Sequence, residues 1–217
     1  MKGYFSKFQL SFTIDVGGLE MNFTTNQQII LASASPRRKE LLELLSIPFA
    51  VQTSDVEETS VIADTVQQYV KEVALLKTRD VAKKCPGKLI IGADTIVVFN
   101  NQILHKPKSF DEAMSHLMQL LNNRHQVMTA VAIIEKDGTE TTFVEETSVL
   151  FKDNSREMIE AYVRTGDPFD KAGGYGIQTS GALLVDRIEG DYNNVVGLPI
   201  ATLVQKLLTL HLLKLTF

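Results

Sequence analysis

The sequence predicts a mixed α/β fold, because short apolar runs alternate along the chain with longer segments of helical periodicity. Pairs of glycine, proline and asparagine separate these segments, as is typical of turns between elements. With 217 residues and 44% hydrophobic content, the chain can bury a substantial core. It carries no repeat and no long linker, so we expect one domain built as two tightly apposed lobes with a cleft between them.

The first half of the chain contains a series of predicted strands and helices. In chain order these are a strand at residues 29–31, a helix from Ser35-Pro36 to Leu45, a strand from Pro48 to Thr53, a helix from Thr65 to Lys84 and a strand from Leu89 to Phe99. Pro36 suits the start of the first helix, because the first turn does not use the N–H that proline lacks. Asn100-Asn101 then predicts a turn into a short strand at Ile103-Leu104, so the long apolar strand should form a hairpin.

The second half continues this alternation. It holds a helix that Ser109 and Glu112 begin with a capping-box pattern and that ends near Asn122-Asn123, two strands flanking Asp137-Gly138, a helix from Ser155 to Thr165, a strand from Ala182 to Ile188 and a final helix from Pro199. The apolar run from Leu198 to Leu215 is interrupted by polar residues, which predicts an amphipathic helix and not a membrane span. We interpret the glycine-rich residues 170–181 as shaping a site rather than joining domains.

The composition excludes several classes of partner. A formal charge of -4 gives no general attraction to nucleic acid or to anionic membranes, so phosphate binding must come from local basic clusters. Cys85 is the single cysteine of the chain, which suits a reducing compartment. Residues 1–20 have neither a continuous apolar core nor a small-residue cleavage site, so we do not expect a signal peptide. The sequence therefore favours a cytoplasmic protein with a small substrate.

A basic pair lies at the start of the first predicted helix. Arg37 and Arg38 follow Ser33-Ala34-Ser35-Pro36 and fall in the first turn, where unsatisfied N–H groups already concentrate positive potential. A bound polyphosphate would make this placement favourable, because guanidinium groups and helix-terminal amides both match phosphate oxygens. On the dipeptide alone, two guanidiniums that project into water are an equally good interpretation.

Asp94 is an anomaly, because it lies within the long apolar strand. A carboxylate in a buried strand needs a metal ion, a cationic side chain or a catalytic water to offset its desolvation, or else backbone N–H groups at a strand bend. We favour a functional role. Glu57 and Glu58 could supply a second carboxylate, although acidic runs of this kind are usually solvated loops and sequence spacing cannot pair them with Asp94.

Other basic residues and glycines give weaker signals. Lys77, Lys106 and Lys171 each lie beside a candidate loop or on an apolar helix, and a triphosphate needs several distributed cations. Each is also compatible with a solvated surface position. The sequence has no Walker motif, no dinucleotide-binding glycine motif, no nucleophile elbow and no zinc-type His-Glu-x-x-His, so metal-assisted hydrolysis remains as the chemistry to test.

Taken in order, these motifs closely resemble the Maf family of nucleoside triphosphate pyrophosphatases. They are Leu31-Ala32-Ser33-Ala34-Ser35-Pro36-Arg37-Arg38, Glu57-Glu58, Lys77, Gly92-Ala93-Asp94-Thr95, Lys106-Pro107, Asp170-Lys171-Ala172-Gly173 with Tyr175-Gly176-Ile177-Gln178, and Gly197-Leu198-Pro199. The resemblance covers residues 29–208, nearly the whole chain. One departure is His105, which stands where the family commonly has a glycine. The implied fold is the Maf/Ham1-like (ITPase-like) one, an extended mixed sheet with flanking helices and a cleft.

The resemblance also implies roles for individual residues. Asp94 is expected to act as the general base, and Arg37, Thr95 and Gln178 are expected to tune nucleobase selection. The substrate-binding set that we expect comprises Ser33, Arg37, Arg38, Lys77, Thr95, Lys106 and Gln178. A divalent cation, Mg²⁺ or Mn²⁺, is expected on Glu57 and Asp94, with both residues counted as catalytic.

The motif triplets resemble the branch of the family that acts on dTTP and UTP. The implied reaction converts either triphosphate to the monophosphate and pyrophosphate. Alternatives are a pyrophosphatase for 7-methyl-GTP or inosine triphosphate, and a nucleotide-binding regulator of septum formation with a division-related protein partner. A homodimer is left open. Residues 1–20 precede the resemblance and are expected to be a dispensable extension of a single domain, residues 21–217.

Overall fold

The computed structural model describes residues 21–57 and 61–216, so the predicted extension at residues 1–20 lies outside the described residues. The strands are β1 (Asn22–Thr24), β2 (Ile29–Ala32), β3 (Phe49–Val51), β4 (Leu89–Phe99), β5 (Gln102–Leu104), β6 (Arg124–Ile134), β7 (Glu140–Phe151), β8 (Val185–Glu189) and β9 (Lys214–Thr216). The α-helices are α1 (Pro36–Glu43), α2 (Val66–Lys84), α3 (Phe110–Leu120), α4 (Arg156–Arg164), α5 (Tyr192–Val196) and α6 (Ile200–Thr209). Short 3₁₀ turns follow α4. The predicted mixed α/β class is confirmed.

A mixed sheet organises the fold, and β4 lies at its centre. The strand order is β3-β2-β4-β6-β7-β8, with β5 added beside β4. The β2 strand runs parallel to both of its neighbours, β3 and β4, whereas the β4–β6, β6–β7 and β7–β8 pairs are antiparallel. The parallel pairs need a helical crossover and the antiparallel pairs need only turns, which explains why the first half of the sheet is interleaved with helices.

Among the described residues, one edge of β4 has no partner strand over four residues. On its far side β6 pairs with β4 from Ile90 to Val98. On the near side β2 pairs only with residues 89–92, and β5 pairs only with residues 97–99. Residues 93–96 therefore lie at a gap between two partner strands.

Two hydrophobic cores lie at the two ends of β4 on one face of the sheet. The first contains Leu89, Ile91 and Ala93 together with α1 and α6. The second contains Val97 with α3 and α4. Thr95 lies on the same face between them, since successive residues of a strand alternate faces. The predicted pair of apposed lobes corresponds to these two cores, and the gap in β4 lies between them.

The opposite face of β4 carries α2, and Gly92 sets how closely this helix approaches. A Cβ atom at Gly92 would lie 2.1 Å from Oγ1 of Thr78 on α2. Thr78 is fully buried, and its hydroxyl donates to the carbonyl oxygen of Ala74. Glycine therefore allows the close contact that places the neighbouring Lys77 beside β4.

Most predicted elements are present, with shorter ends than the sequence indicated. The first helix ends at Glu43 and the second strand covers only residues 49–51. The strand predicted from Ala182 begins at Val185, because residues 180–184 form a 3₁₀ turn. Val185 is where pairing with β7 begins, at Phe151, so the partner strand fixes this boundary. The short helix α5 was not predicted.

The end of the chain also differs from the prediction. We expected one amphipathic helix to Leu215, but α6 ends at Thr209 and β9 follows. His211 has a φ of 56°, which breaks the helix. The β9 strand then pairs antiparallel with β1, and the hydroxyl of Thr25 donates to the carbonyl of Leu212 at 2.7 Å. Pairing with a segment at the other end of the described chain overrides the local helical pattern.

Within the described ranges, no helix combines the length and the apolar character that crossing a membrane requires.

Candidate active site

A cavity of about 620 Å³ opens at the gap in β4. Its walls come from the start of α1, the middle of α2, β4 and β5, the loop before α3, the glycine-rich loop and the end of α5. The charged and polar residues that line it are Ser35, Arg37, Arg38, Tyr69, Lys77, Asp94, Thr95, His105, Lys106, Lys108, Glu112, Asp170, Lys171, Tyr175 and Gln178. The cavity therefore gathers side chains from segments that are distant in sequence.

The lining residues give the cavity a positive charge. Six described lining residues are basic, namely Arg37, Arg38, Lys77, Lys106, Lys108 and Lys171, and three are acidic, namely Asp94, Glu112 and Asp170. The whole chain carries a formal charge of -4. The basic cluster that phosphate binding would require in an acidic protein is thus concentrated at this cavity.

Asp94 and Lys77 form a largely buried ion pair in the cavity wall. Asp94 is 8% exposed, and its Oδ1 accepts a hydrogen bond of 2.7 Å from Nζ of Lys77. Of the partners considered for this carboxylate, the structure shows a cationic side chain, that of Lys77. The lysine lies on α2 eight residues after Tyr69, about two helical turns away, so both side chains share the face that meets the cavity.

The start of α1 has the features of an anion-binding helix terminus. Ser35 is the N-cap residue, but its side chain makes no capping hydrogen bond, and the first turn contains no acidic residue. Ser35, Arg37 and Arg38 line the cavity at this helix terminus. Arg37 contacts Oδ2 of Asp170 at 3.2 Å, a bond that is largely exposed to solvent. The exposed contact can be exchanged for a phosphate oxygen.

Arg38 is placed differently from its neighbour. Its Nε donates to the carbonyl of Gly197 at 2.8 Å, and its Nη1 donates to the carbonyl of Ala93 at 2.8 Å and to Oγ of Ser33 at 3.2 Å. Its Nη2 donates to Oγ1 of Thr95 at 2.9 Å. The guanidinium therefore joins α1, β4 and the end of α5 through a fixed fork of donors.

Thr95 begins a buried hydroxyl network beneath the cavity. Its Oγ1 lies 2.9 Å from Oγ1 of Thr129 on β6, and Thr129 donates to the carbonyl of Asn194 at 3.0 Å. The amide nitrogen of Asn194 donates in turn to the carbonyl of Val127 and to Oγ1 of Thr147, each at 2.9 Å. These bonds fasten α5 to the sheet, and α5 continues into the 195–197 wall of the cavity.

A carboxylate-centred network holds the base of the glycine-rich loop. Oδ2 of Asp167 accepts hydrogen bonds of 2.6 Å from Tyr162 and from Thr179, while Oδ1 accepts from Lys171 at 2.9 Å. Burial by itself would raise the pKa of Asp167, but the bonds from Thr179, Tyr162 and Lys171 outweigh it and lower that pKa. Lys171 also donates to Asp170 at 2.6 Å. The loop is therefore fixed in place by charged contacts.

A second buried contact supports the same loop from below. Nε2 of His125 lies 2.7 Å from the hydroxyl of Tyr175, and His125 is fully buried. Burial lowers the pKa of His125 to about 3, so the ring is neutral at physiological pH. Phe151 packs edge-on against both rings. This cluster anchors the segment 175–178, which ends at Gln178.

The structure brings most of the predicted site residues together. Arg37, Arg38, Lys77, Asp94, Thr95, Lys106 and Gln178 all line the cavity. Ser33 is buried behind Arg38 and is not among the described lining residues. Glu57 is exposed and likewise is not among them, and Glu58 lies outside the described ranges.

Some lining residues were not predicted from the sequence. Tyr69 lines the cavity without having been singled out, although its two-turn spacing from Lys77 indicates a shared surface of the helix. One local sequence signal could have indicated α5, which forms part of the cavity wall. Asp191 is a favourable N-cap residue, and its side chain accepts from the amide of Asn193 at 2.8 Å. His105 lines the cavity, and its carbonyl accepts from the amide of Gly173 at 3.3 Å.

Comparison with known sequences gives a family and close relatives. Residues 28–210 match the family described as Maf-like protein. A curated protein of Bacillus cereus, named dTTP/UTP pyrophosphatase, is 49% identical over 181 residues, which is 83% of this chain and 94% of the relative. A protein of a Geobacillus strain with the same name is 47% identical over 180 residues, covering 83% of this chain and 96% of the relative.

Comparison with solved structures supports the architecture. A HAM1 protein from Coxiella burnetii aligns with a TM-score of 0.54 at 16% sequence identity, covering 84% of this chain and 99% of that chain. At this identity the likeness concerns the fold alone. The expected Maf/Ham1-like arrangement of a mixed sheet with flanking helices is confirmed.

Proposed function

Because this chain belongs to the Maf-like protein family, we propose that it is a nucleoside triphosphate pyrophosphatase that converts dTTP and UTP to the monophosphate and pyrophosphate. One observation of the structure carries this proposal. A nearly buried carboxylate, Asp94, lies at the gap in β4 within a cavity whose lining is rich in arginine and lysine. A pure binding site for phosphate has little use for a carboxylate in that position.

The basic residues bind the triphosphate in this proposal. The start of α1 and the guanidinium of Arg37 contact phosphate oxygens, and Lys106 and Lys108 approach from the loop between β5 and α3. Arg37 leaves the exposed carboxylate of Asp170 when the substrate enters. Arg38 acts mainly by holding the surrounding chain segments, since its donors already bind acceptors on α1, β4 and the end of α5.

Asp94 acts on the attacking water. Its Oδ1 is held by Lys77, and among the described residues Oδ2 is available to a water molecule. The carboxylate orients that water towards the α-phosphorus and accepts its proton as the new P–O bond forms. The bond from the α-phosphorus to the bridging oxygen breaks, and pyrophosphate leaves with its charge stabilised by the lysines and arginines.

The residues present are compatible with a divalent cation. No group of three or more potential metal ligands occurs within residues 21–57 and 61–216. Nucleotide enzymes, however, commonly hold Mg²⁺ through one or two carboxylates with phosphate oxygens and water. Asp94, which lines the cavity, and Glu57, which is exposed and is not among the described lining residues, are the residues proposed to hold it. When bound, Mg²⁺ or Mn²⁺ would offset part of the negative charge of the triphosphate and polarise the α-phosphorus.

The nucleobase is recognised on the face of β4 that lies opposite Asp94. Thr95 and Gln178 line the cavity, and both offer hydrogen-bonding groups to a pyrimidine edge. Uracil and thymine present O4 as an acceptor and N3–H as a donor, whereas cytosine presents the reverse. A site built for the first pattern leaves polar groups mismatched against the second. We place the enzyme in the cytoplasm, because a chain with a single cysteine suits a reducing compartment.

A panel of triphosphates tests the proposal. We expect dTTP and UTP to have the highest kcat/KM values among dTTP, UTP, CTP, 7-methyl-GTP and inosine triphosphate, with pyrophosphate as product. Reaction in ¹⁸O-labelled water should place the label in the monophosphate, because attack occurs at the α-phosphorus. A preference for 7-methyl-GTP or inosine triphosphate would refute the substrate assignment. Tight binding without any turnover would instead support a regulatory protein.

A further inference from the structure

We propose that Thr129, a buried residue outside the cavity lining, determines base selection by fixing the hydroxyl of Thr95 as a hydrogen-bond acceptor towards the cavity. The proposal deepens the proposed function and rests on it. Thr129 is fully buried on β6, directly opposite Thr95 in the β4–β6 register. Its Oγ1 lies 2.9 Å from Oγ1 of Thr95.

The direction of the bond between the two threonines follows from the protons available. A threonine hydroxyl donates one proton and accepts through two lone pairs. The carbonyl of Asn194, 3.0 Å from Oγ1 of Thr129, can only accept, so Thr129 must donate there. In the part of the chain that the structure describes, this is the hydrogen bond that satisfies that buried carbonyl. Thr129 has no second proton, and Thr95 must therefore donate to Thr129.

The other contacts of Thr95 complete this count. Arg38 donates to Oγ1 of Thr95 at 2.9 Å and so occupies one lone pair. The carbonyl of Gly197 is 3.5 Å away and already accepts from Arg38 at 2.8 Å, so it competes weakly for the proton of Thr95. One acceptor position of Thr95 remains for a ligand. A hydrogen-bond donor on the ligand can therefore bind to the hydroxyl oxygen of Thr95, whereas an acceptor on the ligand would be repelled by it.

With the hydroxyl of Thr95 acting as an acceptor, two residues share recognition of the pyrimidine edge. Thr95 accepts from N3–H of uracil or thymine, and the amide nitrogen of Gln178 then donates to O4. Cytosine presents a bare N3 to the same hydroxyl, which has no proton to offer. The resulting mismatch of two acceptors discriminates against CTP by on the order of tenfold at this position.

The network offers a closely matched control. Thr147 is also fully buried, and it also supports α5, since its Oγ1 accepts from Asn194 and donates to the carbonyl of Asp191 at 3.0 Å. None of the hydrogen bonds among the described residues joins it to Thr95. Replacing either threonine by valine removes one buried hydroxyl beneath α5, but only Thr129→Val releases the proton of Thr95.

The experiment compares the UTP-to-CTP ratio of kcat/KM in wild type, Thr129→Val, Thr147→Val and Thr129→Ser. We expect Thr129→Val to lower the ratio about tenfold, mainly by improving CTP, because the released proton of Thr95 can then donate to N3 of cytosine. Thr147→Val and Thr129→Ser should keep the wild-type ratio. If Thr129→Val does not fold, Thr129→Cys takes its place, since a thiol is a weaker acceptor.

Two results would overturn the proposal. One is an unchanged ratio in folded Thr129→Val, and the other is an equal fall in Thr147→Val, which would mean that only the packing of α5 matters. Failure of the proposed function is recognised separately, because it concerns whether wild type releases pyrophosphate from dTTP and UTP at all. In that case the dissociation constants of UMP and CMP, measured by calorimetry on the same variants, still test the role of Thr129.

Discussion

At the scale of single residues, the two adjacent arginines of α1 differ in their surroundings and should differ in their variants. Arg38 donates to three buried or half-buried segments, whereas Arg37 meets one exposed carboxylate. We expect Arg38→Met to lower the free energy of unfolding by roughly 2 kcal/mol or more, because several acceptors lose their donor. Arg37→Met should keep its stability and raise KM by about tenfold or more. Urea unfolding measures the stability of both variants, and steady-state kinetics measure their KM values. Equal stability losses in the two variants would contradict the different roles of Arg37 and Arg38.

Asp94 is the residue on which turnover should depend most. Asp94→Asn keeps the shape of the side chain but removes the charge and most of the basicity, so we expect kcat to fall by about 10²-fold or more. Nucleotide binding should be retained, since the basic residues are untouched. Circular dichroism checks that the variant folds, and a nucleotide titration checks that it still binds. Near-normal turnover by the folded variant would contradict the proposed role of Asp94.

His125 gives a prediction for the pH dependence of stability. Burial lowers its pKa to about 3 in the folded protein, against about 6.5 when unfolded, so the unfolded state binds more protons between these values. The contribution of His125 to stability is therefore present above about pH 6.5 and is lost as pH falls towards 3. We expect a slope of at most about 1.4 kcal/mol per pH unit in that window.

The matched variant for this prediction is His125→Gln, which can keep a hydrogen bond to Tyr175 without titrating. The difference in unfolding free energy between wild type and variant, measured by denaturant titration from about pH 7 to about pH 4, should shift against wild type as pH falls. A difference that stays constant over this range would show that His125 is not buried in its neutral form.

At the scale of elements, the approach of α2 to β4 connects stability with the active site. We expect Gly92→Ala to lower the free energy of unfolding by about 1–3 kcal/mol, because the new methyl group would overlap Thr78. It should also lower kcat, since α2 carries Lys77, which holds Asp94. Thermal unfolding and kinetics measure both effects.

The control for this prediction removes the atom that the methyl group would meet. In Thr78→Ala/Gly92→Ala the closest contact, to Oγ1 of Thr78, is gone, so part of the stability and activity should return relative to Gly92→Ala. If the double variant is simply as unstable as the sum of the two single changes, the close approach of α2 is not what Gly92 provides.

At the scale of the whole molecule, the two ends of the described chain meet in a small second sheet. The β1 strand pairs with β9, and Thr25 bonds to Leu212 next to the first core. We expect a chain that starts at Met21 to keep the melting temperature and kcat/KM of the full chain, since it retains β1. A chain that starts at Asn26 should be less stable, because β9 loses its partner and Leu212 loses its bond from Thr25. Loss of activity on removing residues 1–20 alone would contradict the prediction.

The sequence by itself determined most of the elements and which residue types they carry. Local patterns were enough for the strand around Asp94, the helix that begins at Pro36 and the hairpin after Phe99, because periodicity, capping and turn signals act over a few residues. The Ser109 cap is present as predicted, although Glu112 accepts from the amide of Lys108 and not from that of Ser109.

Only the tertiary structure decided how these residues meet. Lys77 and Asp94 are 17 residues apart, Arg38 and Gly197 are 159 apart, and Thr95 reaches Asn194 through Thr129. The gap in β4 arises because β2 ends and β5 begins along one edge, which is a property of strand pairing and not of any local pattern. Contacts of this kind depend on the packing of the whole sheet, and for the same reason the ends of β8 and α6 were set by their distant partners.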